Sequence, residues 1–60
     1  MKKTTKQLHE MYRDLMGTKC IDVPHEDVQQ FVDYCYDNYD LVVMGGAFTN
    51  DGKRQYLYID

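Results

Sequence analysis

Apolar residues recur along this chain in two periods, and the change of period divides it into elements. Between Thr4 and Met16 they fall at Leu8, Met11, Tyr12, Leu15 and Met16, one stripe at helical spacing. Thr4 with Gln7 three residues on has the spacing of a capping box, and Gly17 stands where a left-handed residue would close the helix. From Lys19 to Val23, Ile21 and Val23 alternate with Cys20 and Asp22, a pattern that fits a short strand or an extended linker. Pro24 predicts the start of a second helix, from His25 to about Asn38, with Glu26 and Asp27 suited to its first turn. Its inner stripe is Val28, Phe31, Val32, Cys35 and Tyr39, and Asn38 is a reasonable left-handed stop.

The remaining segment has the period of a β-hairpin. Asp51-Gly52 is a preferred two-residue type I′ turn, with β-rich sequence on both sides. That turn fixes a register in which Phe48 faces Gln55, Gly46 faces Leu57 and Met44 faces Ile59. With Val42, these make an apolar face to receive the helices. Ala47 opposite Tyr56 and Gly45 opposite Tyr58 make the other face, where a tyrosine ring covers a weak glycine position. The Gly45-Gly46 pair fits a bulge equally well. The predicted fold is α+β: two helices packed on one face of a small antiparallel sheet built on a C-terminal β-hairpin, in the order α-(β)-α-β-β. No repeat or linker divides residues 1–60, which read as one compact domain.

Length and composition narrow the functions available. A chain of 60 residues buries only about 60% of the surface its unfolded form exposes. It has little room for an enclosed cleft of the ~300 Å³ or more typical of small-molecule sites. With 43% apolar residues and one proline the chain should fold. No apolar run approaches the ~20 residues of a membrane span. The polar continuation after Met1-Lys2-Lys3 is not that of a signal peptide, so the two cysteines read as reduced thiols and the expected location is cytoplasmic. No enzyme activity and no cofactor are expected.

The net charge of −3 is unevenly placed: Cys20 to Gly52 holds seven acids and no Lys or Arg. At 100° per residue, Glu26, Asp33, Asp37 and Asp40 lie on one line of the second helix, opposite its core stripe, with Gln30 among them and Tyr34 on the rim. Asp33 and Asp37 repel at i,i+4, and Asp37 and Asp40 sit near the negative end of the helix dipole. A helix selected only for stability would not carry this arrangement. One reading is a solvated face, partly neutralised by Lys53 or Arg54 folding across it. The other is a docking surface for a basic partner. Carboxylates one turn apart are ~6 Å apart along the axis, near the ~7 Å phosphate spacing of extended nucleic acid.

Other candidates draw on fewer residues. Six tyrosines are present, and Tyr56 and Tyr58, with Val43, are expected on the open face of the sheet as a second interface or a site of homodimerisation. Cys20, Cys35, His9 and His25 lack the close pairing of zinc ligands, so no metal site is expected, and Cys35 sits on the core stripe. A Cys20/His25 nucleophile pair has no third orienting group. The glycine pair precedes a strand rather than a helix, which excludes a phosphate loop.

In size, acidity and single-domain economy, though in no motif, the chain resembles the small inhibitors that phages and mobile elements encode against host nucleic-acid enzymes, including restriction and CRISPR effectors. That likeness implies a non-catalytic inhibitor or adaptor docking the acidic helix on a basic protein surface. Two alternatives stay open. One is a dimeric nucleic-acid-binding regulator using Lys2, Lys3, Lys6 and Arg13; direct nucleic-acid binding is otherwise disfavoured by the charge. The other is a structural homo-oligomer joined through the tyrosine face or a strand edge.

Overall fold

The computed structural model describes residues 3–60. Helix α1 spans Thr5–Thr18 and begins as its sequence dictates. Gln7 N–H donates to Thr4 Oγ1 at 3.2 Å and Thr4 N–H to Gln7 Oε1 at 2.9 Å, closing the capping box. Its end differs from expectation. Gly17 stays helical, and Lys19 takes the left-handed conformation (φ 69°), its N–H donating to the Leu15 carbonyl at 2.7 Å. Thr18 accounts for the extra residues: its Oγ1 lies 2.9 Å from the Asp14 carbonyl and 2.8 Å from that of Cys20, tying the last turn to the next element.

That element is a strand, β1 (Cys20–Pro24), with Val23 buried and Ile21 half-buried against the helices while Cys20 and Asp22 face solvent. After Pro24 the chain first makes a 3₁₀ turn (His25–Asp27) and only then the helix α2 (Val28–Tyr39). The left-handed stop is Asp40 (φ 53°), two residues beyond Asn38. Asn38 remains helical, its amide donating to the Tyr34 carbonyl at 2.9 Å.

Strands β2 (Met44–Phe48) and β3 (Arg54–Tyr58) form the hairpin, and β1 pairs antiparallel on the far side of β3, giving the order β1-β3-β2. The turn is not type I′, which needs positive φ at both central residues. Gly52 has φ 72°, and Asp51 is not among the positive-φ residues. Instead Thr49 N–H donates to the Arg54 carbonyl and Gly52 N–H to that of Thr49, both at 2.9 Å, closing a longer loop. Asp51 stabilises it by accepting from the Thr49 hydroxyl at 2.7 Å and from Lys53 N–H at 2.9 Å. The two loops share a centre, so Phe48 still pairs with Gln55.

Upstream, a bulge between Gly45 and Phe48 shifts the register by one, so that Gly45 faces Leu57 and Met44 faces Tyr58. Because side chains alternate, one residue of slip reverses which faces the core. Val43, expected on the open face, is buried, and Val42, expected inside, is 65% exposed. Phe48, in its expected register beyond the bulge, is nonetheless 50% exposed at the hairpin end of the strand, where it rests on His25. Gly46, not Gly45, lies under the Tyr58 ring: a Cβ there would meet Cδ1 and Cε1 at 3.5 Å. A Cβ on Gly45 would meet Gln55 Nε2 at 2.8 Å, and that same amide donates to the Gly46 carbonyl at 3.1 Å. The bulge is thus held by a side chain from the opposite strand.

One core results: Leu8, Leu15, Val23, Phe31, Cys35, Val43, Leu57 and Ile59. Met11, Tyr12, Val28 and Val32 pack against it, whereas Met16 and Tyr39, placed on the inner stripes by periodicity, are substantially exposed. Tyr39 lies instead on Tyr12, their rings stacked with centroids 3.8 Å apart, and this contact joins the two helices at their outer edge.

Candidate functional site

Every carboxylate of the expected stripe is exposed: Glu26 in the 3₁₀ turn, Asp33 and Asp37 on the outer face of α2, and Asp40 at its left-handed cap. Two ion pairs form among the described residues, Lys3 with Asp27 at 3.7 Å and Arg54 with Asp22 at 2.6 Å. Neither involves the stripe. Arg54 and Lys53, which could have crossed to neutralise it, do not: Arg54 is turned to β1, and Lys53 makes no ion pair among the described residues. Asp33 accepts a hydrogen bond from the neutral amide of Gln29 at 3.0 Å, which orients it without cancelling its charge. The face also presents Tyr36, 58% exposed, which the wheel places beside Asp33 and which sequence reasoning passed over.

Gln30 and Tyr34 have structural partners. The Gln30 amide binds the main chain of Lys3 at both its donor and its acceptor. The Tyr34 hydroxyl lies 3.2 Å from that of Tyr39, which in turn lies 2.9 Å from His9 Nδ1. This hydrogen bond to Tyr34 raises the Tyr39 phenol above its usual value. Gln29 and Tyr36 are therefore the freer neighbours of the carboxylates, and no spacing rule distinguishes them from Gln30 and Tyr34.

Helix α1 offers less for an acidic ligand than its composition suggested. Lys3 is committed to Asp27 and Gln30, Glu10 and Asp14 interleave with Lys6 and Arg13, and Lys2 lies outside the described residues. On the open face of the sheet, Tyr56 and Tyr58 are exposed, joined through the strand register by Met44, Cys20 and Asp22, with Arg54 beside them. Val43 is absent from this face. Cys20 is exposed, while Cys35 is buried, and burial pushes its thiol up to about 11. Among the described residues no three His, Cys, Asp or Glu side chains converge as a metal site would require.

A depression that no sequence pattern announced lies between the 3₁₀ turn and the hairpin loop. It measures about 530 Å³, is widely open to solvent, and is lined by Pro24, His25, Glu26, Asp51, Lys53 and Arg54. The His25 ring packs on Phe48, centroids 5.2 Å apart, and His25 N–H donates to the Lys53 carbonyl at 2.9 Å. Its lining mixes both signs of charge, so it has no evident preference for an anion or a cation.

No protein-family model, curated protein sequence or solved structure matches the chain. No helix of the described residues is long and apolar enough to cross a membrane.

Proposed function

We propose that the protein is a non-catalytic binding module that docks the outer face of α2 on a basic, nucleic-acid-binding surface of a larger protein. In biological terms this is an inhibitor or adaptor of the kind phages and mobile elements direct at host nucleic-acid enzymes and defence complexes. One observation carries the reading: Glu26, Asp33, Asp37 and Asp40 are all exposed, and none has a cationic partner among the described residues. Two acids elsewhere, Asp27 and Asp22, are paired with Lys3 and Arg54; what sets α2 apart is that no Lys or Arg lies within it. Keeping the unpaired row costs a few tenths of a kcal/mol in like-charge repulsion along the helix, and a basic partner would convert that cost into attraction. The rise of ~6 Å per turn lets the row follow a groove spaced for phosphates. Tyr36 adds an aromatic anchor of the kind enriched at protein interfaces.

The test compares the wild-type chain with Asp33→Asn/Asp37→Asn as bait in extract of the source cell or its host. Asp40 is left intact so that the helix cap is preserved. At low salt the wild type should retain nucleic-acid-binding proteins that added duplex DNA displaces, and the variant should lose them. Near 1 M salt, where screening falls to about 3 Å, both should release them. Equal retention by wild type and variant, or retention indifferent to DNA, would overturn the reading.

A further inference from the structure

The hairpin loop carries a pair of residues with a chemistry of its own. Asp51-Gly52 is the one place in the chain where an aspartate or asparagine is followed by glycine. Glycine has no Cβ to shield its amide nitrogen, so that nitrogen can attack the side chain before it. The Gly52 N–Asp51 Cγ bond forms, and the Cγ hydroxyl and the amide proton leave as water, which closes a succinimide ring. Water then adds to that ring at the Asp51 main-chain carbonyl carbon. The bond from this carbon to the Gly52 nitrogen breaks, and the chain now runs through Cγ as isoaspartate. Water is the one reactant needed, and it has access: Asp51 and Gly52 are exposed, and a Cβ built on Gly52 would meet no atom within 4 Å.

The folded loop opposes this reaction at both ends. Its nucleophile is engaged, since Gly52 N–H donates to the Thr49 carbonyl at 2.9 Å. That bond closes a turn with Asn50 and Asp51 at its centre, and neither has positive φ, which makes it type I. Such a turn holds ψ of its second central residue at about 0°, roughly a third of a revolution from the angle that brings the next nitrogen over Cγ. The electrophile is held as well. Asp51 Oδ1 accepts from the Thr49 hydroxyl at 2.7 Å and from Lys53 N–H at 2.9 Å. These bonds, that of Thr49 foremost, keep the carboxyl below its ordinary value and so ionised, the form least open to attack. The Thr49 hydroxyl is itself fixed in place, accepting from Arg54 N–H at 3.3 Å. We infer that Asp51 is the position at which this chain converts spontaneously to isoaspartate, and that the Thr49 hydroxyl holds it in the aspartyl form while the hairpin is folded.

The test ages the full chain for weeks at mildly acidic pH and body temperature. Isoaspartate is then counted by methyl transfer with an isoaspartate methyltransferase and located by electron-transfer fragmentation. The folded wild type should accumulate it several-fold more slowly than the same chain in concentrated urea. Asp51→Glu, whose longer side chain would have to close a larger and less favourable ring, should lose nearly all of the label formed in urea. Thr49→Val removes the hydroxyl but keeps the turn carbonyl. It should age several-fold faster than the folded wild type, with an unchanged circular dichroism spectrum; if that spectrum changes, Thr49→Ala makes the same comparison. Thr49→Ser keeps a hydroxyl and should match the wild type. Equal rates in buffer and in urea overturn the inference, as does label that persists in Asp51→Glu. So do equal rates in the wild type and the hydroxyl-free variant, or a Thr49→Ser chain that ages as fast as that variant. Asp33 and Asp37 play no part, so this outcome is separable from that of the docking test.

Discussion

The side-chain amide of Gln30 clasps the main chain of Lys3 from both sides, accepting from its N–H at 3.0 Å and donating to its carbonyl at 2.9 Å. The residues are 27 apart in sequence, and the pair behaves like one rung of a sheet made by a side chain. Lys3 Nζ then reaches the buried carboxylate of Asp27 at 3.7 Å. The start of α1 is thereby fastened to the start of α2.

Removing this clasp should lower stability. Gln30→Ala loses two half-buried hydrogen bonds and should cost about 1–2 kcal/mol in a urea titration. Gln30→Glu keeps an acceptor for Lys3 N–H but sets a carboxylate oxygen against the Lys3 carbonyl. It should also lose stability, although it lengthens the acidic row. A residue serving only to contact a partner would leave the urea midpoint unmoved in both variants.

The two phenylalanines make a second expectation quantitative. Periodicity places Phe31 and Phe48 alike in the core, yet Phe31 is fully buried and Phe48 is half exposed, resting on His25. Phe31→Ala should cost about 3–5 kcal/mol, as deletion of a buried ring does. Phe48→Ala should cost about 1 kcal/mol, the value of partial burial. Equal losses would place Phe48 inside the core.

These two cases show what local sequence encodes here. The capping box of Thr4 and Gln7, the helix opened by Pro24 and the centre of the hairpin are visible because each depends on residues within four positions. The bulge is set by Gln55, whose amide takes the Gly46 carbonyl from across the sheet, and the helix ends by Lys19 and Asp40, which adopt left-handed conformations that glycine and asparagine usually fill. Nothing in their immediate neighbourhood announces those roles. The exposure of Asp33 and Asp37 on α2 was legible from the helical wheel alone, whereas Glu26 and Asp40 lie outside that helix, in the 3₁₀ turn and at the left-handed cap. The roles of the neighbouring side chains were not: Gln30 and Tyr34 are drawn away by Lys3 and Tyr39, partners that a wheel cannot show.

The Asp22–Arg54 pair should appear in the acid limb of the stability curve. The hydrogen bond from Arg54, reinforced by its charge, holds the Asp22 carboxyl below the ordinary value of 3.8. A folded-state value depressed below the unfolded one contributes stability above about pH 4, lost as pH falls through the folded value. Both side chains are nearly half exposed, so the contribution is at most about 1 kcal/mol. Urea midpoints between pH 6 and pH 2 should therefore fall less steeply in Arg54→Gln than in the wild type. Parallel curves would mean that the pair does not titrate with folding.

The cysteines provide a probe of how the molecule opens. Cys20 is exposed at the start of β1, while Cys35 is buried between α2 and the sheet, its thiol pushed up to about 11 by that burial. At pH 8 roughly one Cys35 in a thousand is a thiolate, the reactive form, and the folded chain shields even that one. A disulfide-exchange reagent should label Cys20 within its mixing time. Cys35 should then react at a rate set by unfolding, rising with urea in step with the circular dichroism change. The sign of the linkage follows from the raised value: burial of the protonated thiol favours folding below the unfolded pKa of ~8.5 and ceases to do so as pH rises through 11. Cys35 labelling should accordingly keep rising about tenfold per pH unit between pH 8.5 and 10.5, because destabilisation of the folded chain takes over as thiolate formation in the unfolded chain saturates, whereas an unburied thiol would level off above about pH 8.5. Rapid labelling of both cysteines in the folded chain at pH 8 would contradict the packing of α2 on the sheet, and with it the geometry that presents Asp33 and Asp37 to solvent.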